Sequence, residues 1–101
     1  MFIVENLCKT MKSEGYESLY SYRIFDEDFY GRQAYGIEIE RQDMKEGKII
    51  NIERDSISRI STIEERVRNL LYLVYKNNVS PIHLIDILGE YVDKYVSDFN
   101  F

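Results

Sequence analysis

Ala34-Tyr35-Gly36-Ile37-Glu38-Ile39-Glu40 is the stretch from which the rest of the chain is read. Tyr35, Ile37 and Ile39 fall on one side of a two-residue repeat, Glu38 and Glu40 on the other, which is the pattern of a strand with one dry and one wet face. A glycine weakens a strand interior, so Gly36 predicts a bulge or a close backbone approach. After the polar stretch Gln42-Asp43-Met44-Lys45-Glu46-Gly47, strand character resumes from Lys48 to Arg54 through Ile49, Ile50 and Ile52. Two such runs across a glycine-containing connection predict an antiparallel hairpin pairing 35–41 with 48–54.

Toward the N-terminus, Glu17 to Phe25 reads as a second strand because of its aromatic content, with Asp26-Glu27-Asp28 ending it. Lys12-Ser13-Glu14-Gly15 reads as a turn, and Phe2 to Cys8 as a short first strand. Toward the C-terminus, Asp55 to Ile60 is expected to be a connector. Ser61 with Glu64, or Thr62 with Glu65, then offers a helix cap. Ile63, Val67, Leu70, Leu71 and Val74 gather on one face of a 3.6-residue helix.

Asn77-Asn78 should stop that helix, and Ser80-Pro81 should start another, since proline at a first turn lacks only an N–H that would go unpaired. In this second helix Ile85, Leu88, Val92, Tyr95 and Val96 are expected to face inward, with Asp86, Glu90, Asp93 and Lys94 outside. Gly89 costs about 1 kcal/mol there relative to alanine, which suggests close packing around it. The fold class is therefore α+β: a small antiparallel sheet of three or four strands within about 2–54, then a C-terminal helical hairpin with helices at about 62–76 and 81–97. The whole of 1–101 forms one domain.

A 45% apolar, 31% charged composition belongs to a globular chain. The net charge of -5 is spread over the chain, with nine basic against twelve acidic residues in 1–60 and four against six in 61–101. That balance argues against nucleic acid as a partner, because phosphate neutralisation needs a basic cluster. The single cysteine, Cys8, excludes an intramolecular disulfide and points to a reducing compartment. With no basic-then-apolar leader at Met1 to Leu7 and no apolar run long enough to cross a bilayer, the expected location is the cytoplasm, without membrane association.

Tyr35-Gly36-Ile37-Glu38-Ile39 and Val79-Ser80-Pro81-Ile82-His83-Leu84 together resemble a family of short, functionally uncharacterised proteins from Gram-positive bacteria. The similarity spans about residues 17–96. It implies strands followed by two helices, and it implies no activity, ligand or site residue.

Candidate chemistry is sparse. His83, Asp86 and Glu90 share one helical side and would be the acid/base or small-molecule site of an enzyme, but the same spacing is common on solvated helices. Cys8 reads as a small core residue rather than a nucleophile, and Asp26-Glu27-Asp28 lacks the spaced oxygens and glycine of a calcium loop. No phosphate loop or dinucleotide loop occurs, and no cofactor is expected. Nine tyrosines, five of them between Tyr16 and Tyr35, and a last helix broadened by Leu84, Ile87 and Tyr91 favour a non-catalytic interaction or regulatory module. The expected interface residues are Tyr20, Tyr22, Tyr35, Leu84, Ile87 and Tyr91, and the expected partner is another protein or a second copy.

Overall fold

A computed structural model describes residues 2–99. Four long strands come first, β1 (Phe2–Ser13), β2 (Tyr16–Phe29), β3 (Arg32–Lys45) and β4 (Lys48–Ser61), paired antiparallel in sequence order β1-β2-β3-β4. Helix α1 (Glu64–Lys76), a 3-10 turn at Pro81–His83, helix α2 (Leu84–Tyr95) and a 3-10 turn at Val96–Phe99 follow. The α+β order is as expected, but α1 and α2 lean on the sheet more than on each other, and α2 lies mainly over the edge strand β4.

Two-residue turns set the register. At Tyr30-Gly31 and Glu46-Gly47 both central residues have positive φ, the turn geometry whose twist matches that of the flanking strands. Because the last turn is so tight, Glu40 pairs with Arg54 and Gln42 with Ile52, while Ile37 pairs with Ile57 and Tyr35 with Ser61. The hairpin is present, and its pairing extends beyond the expected 48–54 into the segment read as a connector.

Two expected stops are corrected. Asp26-Glu27-Asp28 lies inside β2, and Asp55 to Ile60 lies inside β4. Asp26 Oδ1 accepts the Phe2 N–H at 3.1 Å, and Glu27 Oε1, buried without a hydrogen bond, is met only by the charge of Arg59, with Nε at 3.5 Å. The bulge expected at Gly36 is there, since β3 and β4 shift register between Tyr35 and Ile37. A Cβ added to Gly36 would strike the Ile57 carbonyl oxygen and come within 2.6 Å of the Phe25 ring.

The core forms on one face of the sheet. Tyr20, Tyr22 and Ile24 of β2, Ile37 and Ile39 of β3 and Ile60 of β4 pack beneath Val67, Leu70, Leu71 and Val74 of α1 and beneath Leu84 and Leu88. Burying each large aliphatic side chain stabilises the fold by about 1.5–3 kcal/mol, and this one-sided layer holds the helices down. The Tyr22 hydroxyl donates to the Val79 carbonyl at 3.1 Å, which ties the sheet to the loop between the helices. Lys9 Nζ donates to the Tyr75 carbonyl at 2.5 Å and to Asn78 Oδ1 at 2.7 Å, placing a cation at the negative end of α1.

Neither expected capping box forms. Ile63 is the residue before α1, and no side chain caps it. Ser61 Oγ instead accepts the Ile63 N–H at 2.9 Å and donates to Asp98 Oδ2 at 2.5 Å. Asp98 also takes Arg66 at 2.6 Å, so the C-terminal turn is clamped to the entry of α1. Pro81 does sit in a first turn, of 3-10 type, preceded by a helix stop at Asn77-Asn78.

Candidate functional site

The polar groups of the sheet form two networks. On the face away from the helices, Glu40 is almost fully buried between two guanidinium groups. Arg23 Nη2 and Gln42 Nε2 each donate to its Oε1 at 3.2 Å, Arg54 holds its Oε2, and Arg23 reaches on to Glu38 at 2.8 Å. Burial by itself would raise the Glu40 pKa, but hydrogen bonds from Arg54 and Arg23 overcome it and hold the carboxyl below its usual range. On the other face, beyond the reach of the helices, Asp43 is held by Ser18 at 2.6 Å, by both arms of Arg41 and by Asn51 at 3.2 Å. Burial opposes ionisation here too, and the Ser18, Arg41 and Asn51 contacts keep this carboxyl low. Each buried carboxylate has its cation beside it, so both networks read as electrostatic seams of the sheet.

The sequence-derived chemistry does not converge. His83 is exposed, with Nδ1 3.9 Å from Asp86 Oδ2, and none of the three principal clefts is lined by His83, Asp86 or Glu90. Cys8, expected in the core, is exposed on the open face of the edge strand β1, 3.6 Å from Ser21 Oγ and 3.7 Å from Asn6 Oδ1. Among the described residues no group of three His, Cys, Asp or Glu side chains could hold a metal ion.

The six expected interface residues divide. Tyr20, Tyr22 and Leu84 are in the core, where Tyr22 stacks on Tyr20 at 6.1 Å and meets Tyr75 edge-on at 5.6 Å. Burial and the neighbouring Tyr20 and Tyr75 push the Tyr22 hydroxyl far above its ordinary pKa. Tyr35 is half-buried, and its pKa is raised by burial and by the charges of Glu64 and Asp26. Ile87 and Tyr91 are exposed on α2.

Helix α2 turns inward Leu88, Val92 and Tyr95 as its spacing predicts, but Leu84 in place of Ile85 and Val96. Leu84 and Leu88 are buried and Val92 and Tyr95 pack against them, whereas Ile85 and Val96 are open to solvent at 59% and 68%. The segment therefore leaves two separate sets of large apolar side chains uncovered, Ile82, Ile85 and Val96 toward one flank of the buried row and Ile87 and Tyr91 on the other. Between α2 and β4 runs a cleft of about 460 Å³ lined by Ser56, Ile57, Ile85, Gly89, Val92 and Asp93, with no α1 residue in its walls. Ile85 and Val96 were expected inward because, with Leu88 and Val92, they have the three-and-four spacing of a core stripe. The close packing expected at Gly89 is absent, since beyond its own helix nothing comes within 4 Å of where its Cβ would stand.

No helix among the described residues is long and apolar enough to cross a membrane. A family of unknown function, DUF6514, matches residues 1–94. No curated protein and no solved structure matches the chain.

Proposed function

The chain belongs to the family of unknown function DUF6514, and from that starting point we propose that it is a non-catalytic, cytoplasmic protein-interaction or regulatory module that binds through the flank of α2 that carries Ile87 and Tyr91. One observation carries the reading: the segment from Pro81 to Phe99 leaves Ile82, Ile85, Ile87, Tyr91 and Val96 exposed after the core is complete. Apolar side chains clustered on one element, rather than scattered singly, are the usual mark of a contact surface. Tyr91 suits such a role because its ring can be covered while its hydroxyl stays in water.

A pull-down comparing wild type with Ile87→Ser and Tyr91→Ser tests this reading, with circular dichroism confirming that each variant folds. Both side chains are exposed, so the fold should tolerate either change to within about 0.5 kcal/mol, while a specific partner should be retained at least about tenfold less well. Retention unchanged in both variants, or no retained partner and no self-association, overturns the reading.

A further inference from the structure

Strand β4 is an edge of the sheet, paired on one side only, with β3. Proteins usually shorten, cover or break such an edge, because every second residue on it offers a free N–H and C=O to another chain. Here β4 is 14 residues long, and from Asn51 to Ile57 its ladder with β3 is unbroken, the register shifts lying outside that stretch. Helix α2 stands beside this edge without closing it: the cleft of about 460 Å³ between them has Ser56 and Ile57 on one wall and Ile85, Gly89, Val92 and Asp93 on the other.

Ser56 and Ile57 are consecutive strand residues, so their side chains point to opposite faces of the sheet. A cleft that touches both runs along the edge itself, where the free backbone groups point. The Ser56 N–H is one of these groups, and it donates to Asp55 Oδ1 at 2.9 Å, an exposed bond to the side chain of the preceding residue. The Asp55 carboxylate thus fills the place that the carbonyl of a further strand would take. By the two-residue alternation, Ile52 and Arg54 turn their N–H and C=O to the same side. On the opposite wall Gly89 lies inside α2, where glycine disfavours a helix, and beyond that helix no atom comes within 4 Å of where its Cβ would stand. The missing side chain makes room in the cleft, not in the core.

We infer that this cleft binds an extended peptide segment of another protein, which adds to β4 as a further strand. The free backbone groups of Ile52, Arg54 and Ser56 supply main-chain hydrogen bonds, and a peptide carbonyl displaces Asp55 from the Ser56 N–H. Peptide side chains two positions apart point toward α2. One of them is apolar and enters the space at Gly89, bounded by Ile85 and Val92; the next is lysine or arginine and meets Asp93, with the released Asp55 carboxylate adding to the negative charge. The cleft lies on the other flank of α2 from Ile87 and Tyr91, so the inference goes beyond the surface proposed above and stands without it.

Selection of a displayed library of random heptapeptides on the full chain, with Gly89→Leu run in parallel, tests the inference. Leucine fills the cleft and, as the better helix former, should leave the fold intact by circular dichroism. Wild type should enrich sequences with valine, isoleucine or leucine two positions from lysine or arginine. The leading sequence, made as a synthetic peptide, should bind Gly89→Leu at least about tenfold less well. Saturation with that peptide should slow hydrogen exchange at the Arg54 and Ser56 amides at least about tenfold. Methylating the peptide nitrogens that face β4 should abolish binding, which a contact made through side chains alone would survive. Asp93→Lys should turn the enriched sequences away from basic residues and serves as the check if Gly89→Leu misfolds. No enrichment over the folded variant, or enriched peptides that leave the Arg54 and Ser56 amides unprotected, overturns the inference. Protection of those amides by self-association in a concentration series without peptide also overturns it, since the occupant is then a second copy.

Discussion

The two faces of the sheet are held by opposite physics. On the helix side, Tyr22, Ile24, Ile37 and Ile39 are sealed under α1 and α2, and the favourable term is removal of apolar surface from water. On the open side no helix arrives, and order comes from Arg23, Glu38, Glu40 and Arg54 bridging β2, β3 and β4. Strands can thus run fourteen residues, well past the helices, because the uncovered parts are fastened by charge across neighbouring strands.

The comparison breaks most visibly on the covered side. Leu71→Ala should cost about 2–5 kcal/mol in urea unfolding, because Leu71 is fully buried and the helix above the sheet can collapse only partly into the hole. A loss below about 1 kcal/mol would mean that the helix layer contributes little to stability.

On the open side, Glu40→Gln keeps the shape and removes the charge that Arg23 and Arg54 share, with an expected cost of about 1–3 kcal/mol. Its pH dependence follows from the lowered carboxyl. As pH falls, the unfolded chain takes up the proton first, so the contribution present above the ordinary glutamate range is lost as pH falls through the lower folded value. Urea midpoints across the acid range should therefore fall less steeply in Glu40→Gln than in wild type.

The third difference appears in alkali. The folded pKa of Tyr22 is raised, so both states are neutral below about pH 10; above it the unfolded chain ionises first, and stability falls by about 1.4 kcal/mol per pH unit from this group. Tyr22→Phe removes that part of the slope, and unfolding of the two proteins at pH 10 and 11 measures it. Parallel slopes would show that the Tyr22 hydroxyl is not sheltered by the core.

The alternation in Ala34–Glu40 made the central hairpin legible, and the repeat through Val67 to Val74 made α1 legible, because in both one face is dry and the other wet. The strand ends at Phe29 and Ser61 were not legible. Acidic residues normally announce a turn, and here Asp26, Glu27 and Asp55 are strand residues, with Asp26 and Glu27 meeting groups far along the chain and Asp55 accepting the N–H of Ser56. For α2 the periodicity was read correctly, but two apolar rows lie side by side on the same helix. Spacing alone does not say which row meets the sheet, so Leu84 was placed at an interface and Ile85 in the core.

Every strand pairs with its neighbour in sequence, and the segments that cover the apolar face are the last to be made. On a ribosome the sheet can zip hairpin by hairpin as it emerges, which keeps loop closure short and pairing fast. At about 5–20 residues per second, however, synthesis from Ser61 through Leu88 takes on the order of seconds. Until α1 is made, Tyr22, Ile24, Ile37 and Ile39 form a completed apolar surface with nothing over it. A truncation before α1 should bind chaperones and aggregate, even though all four strands are already present.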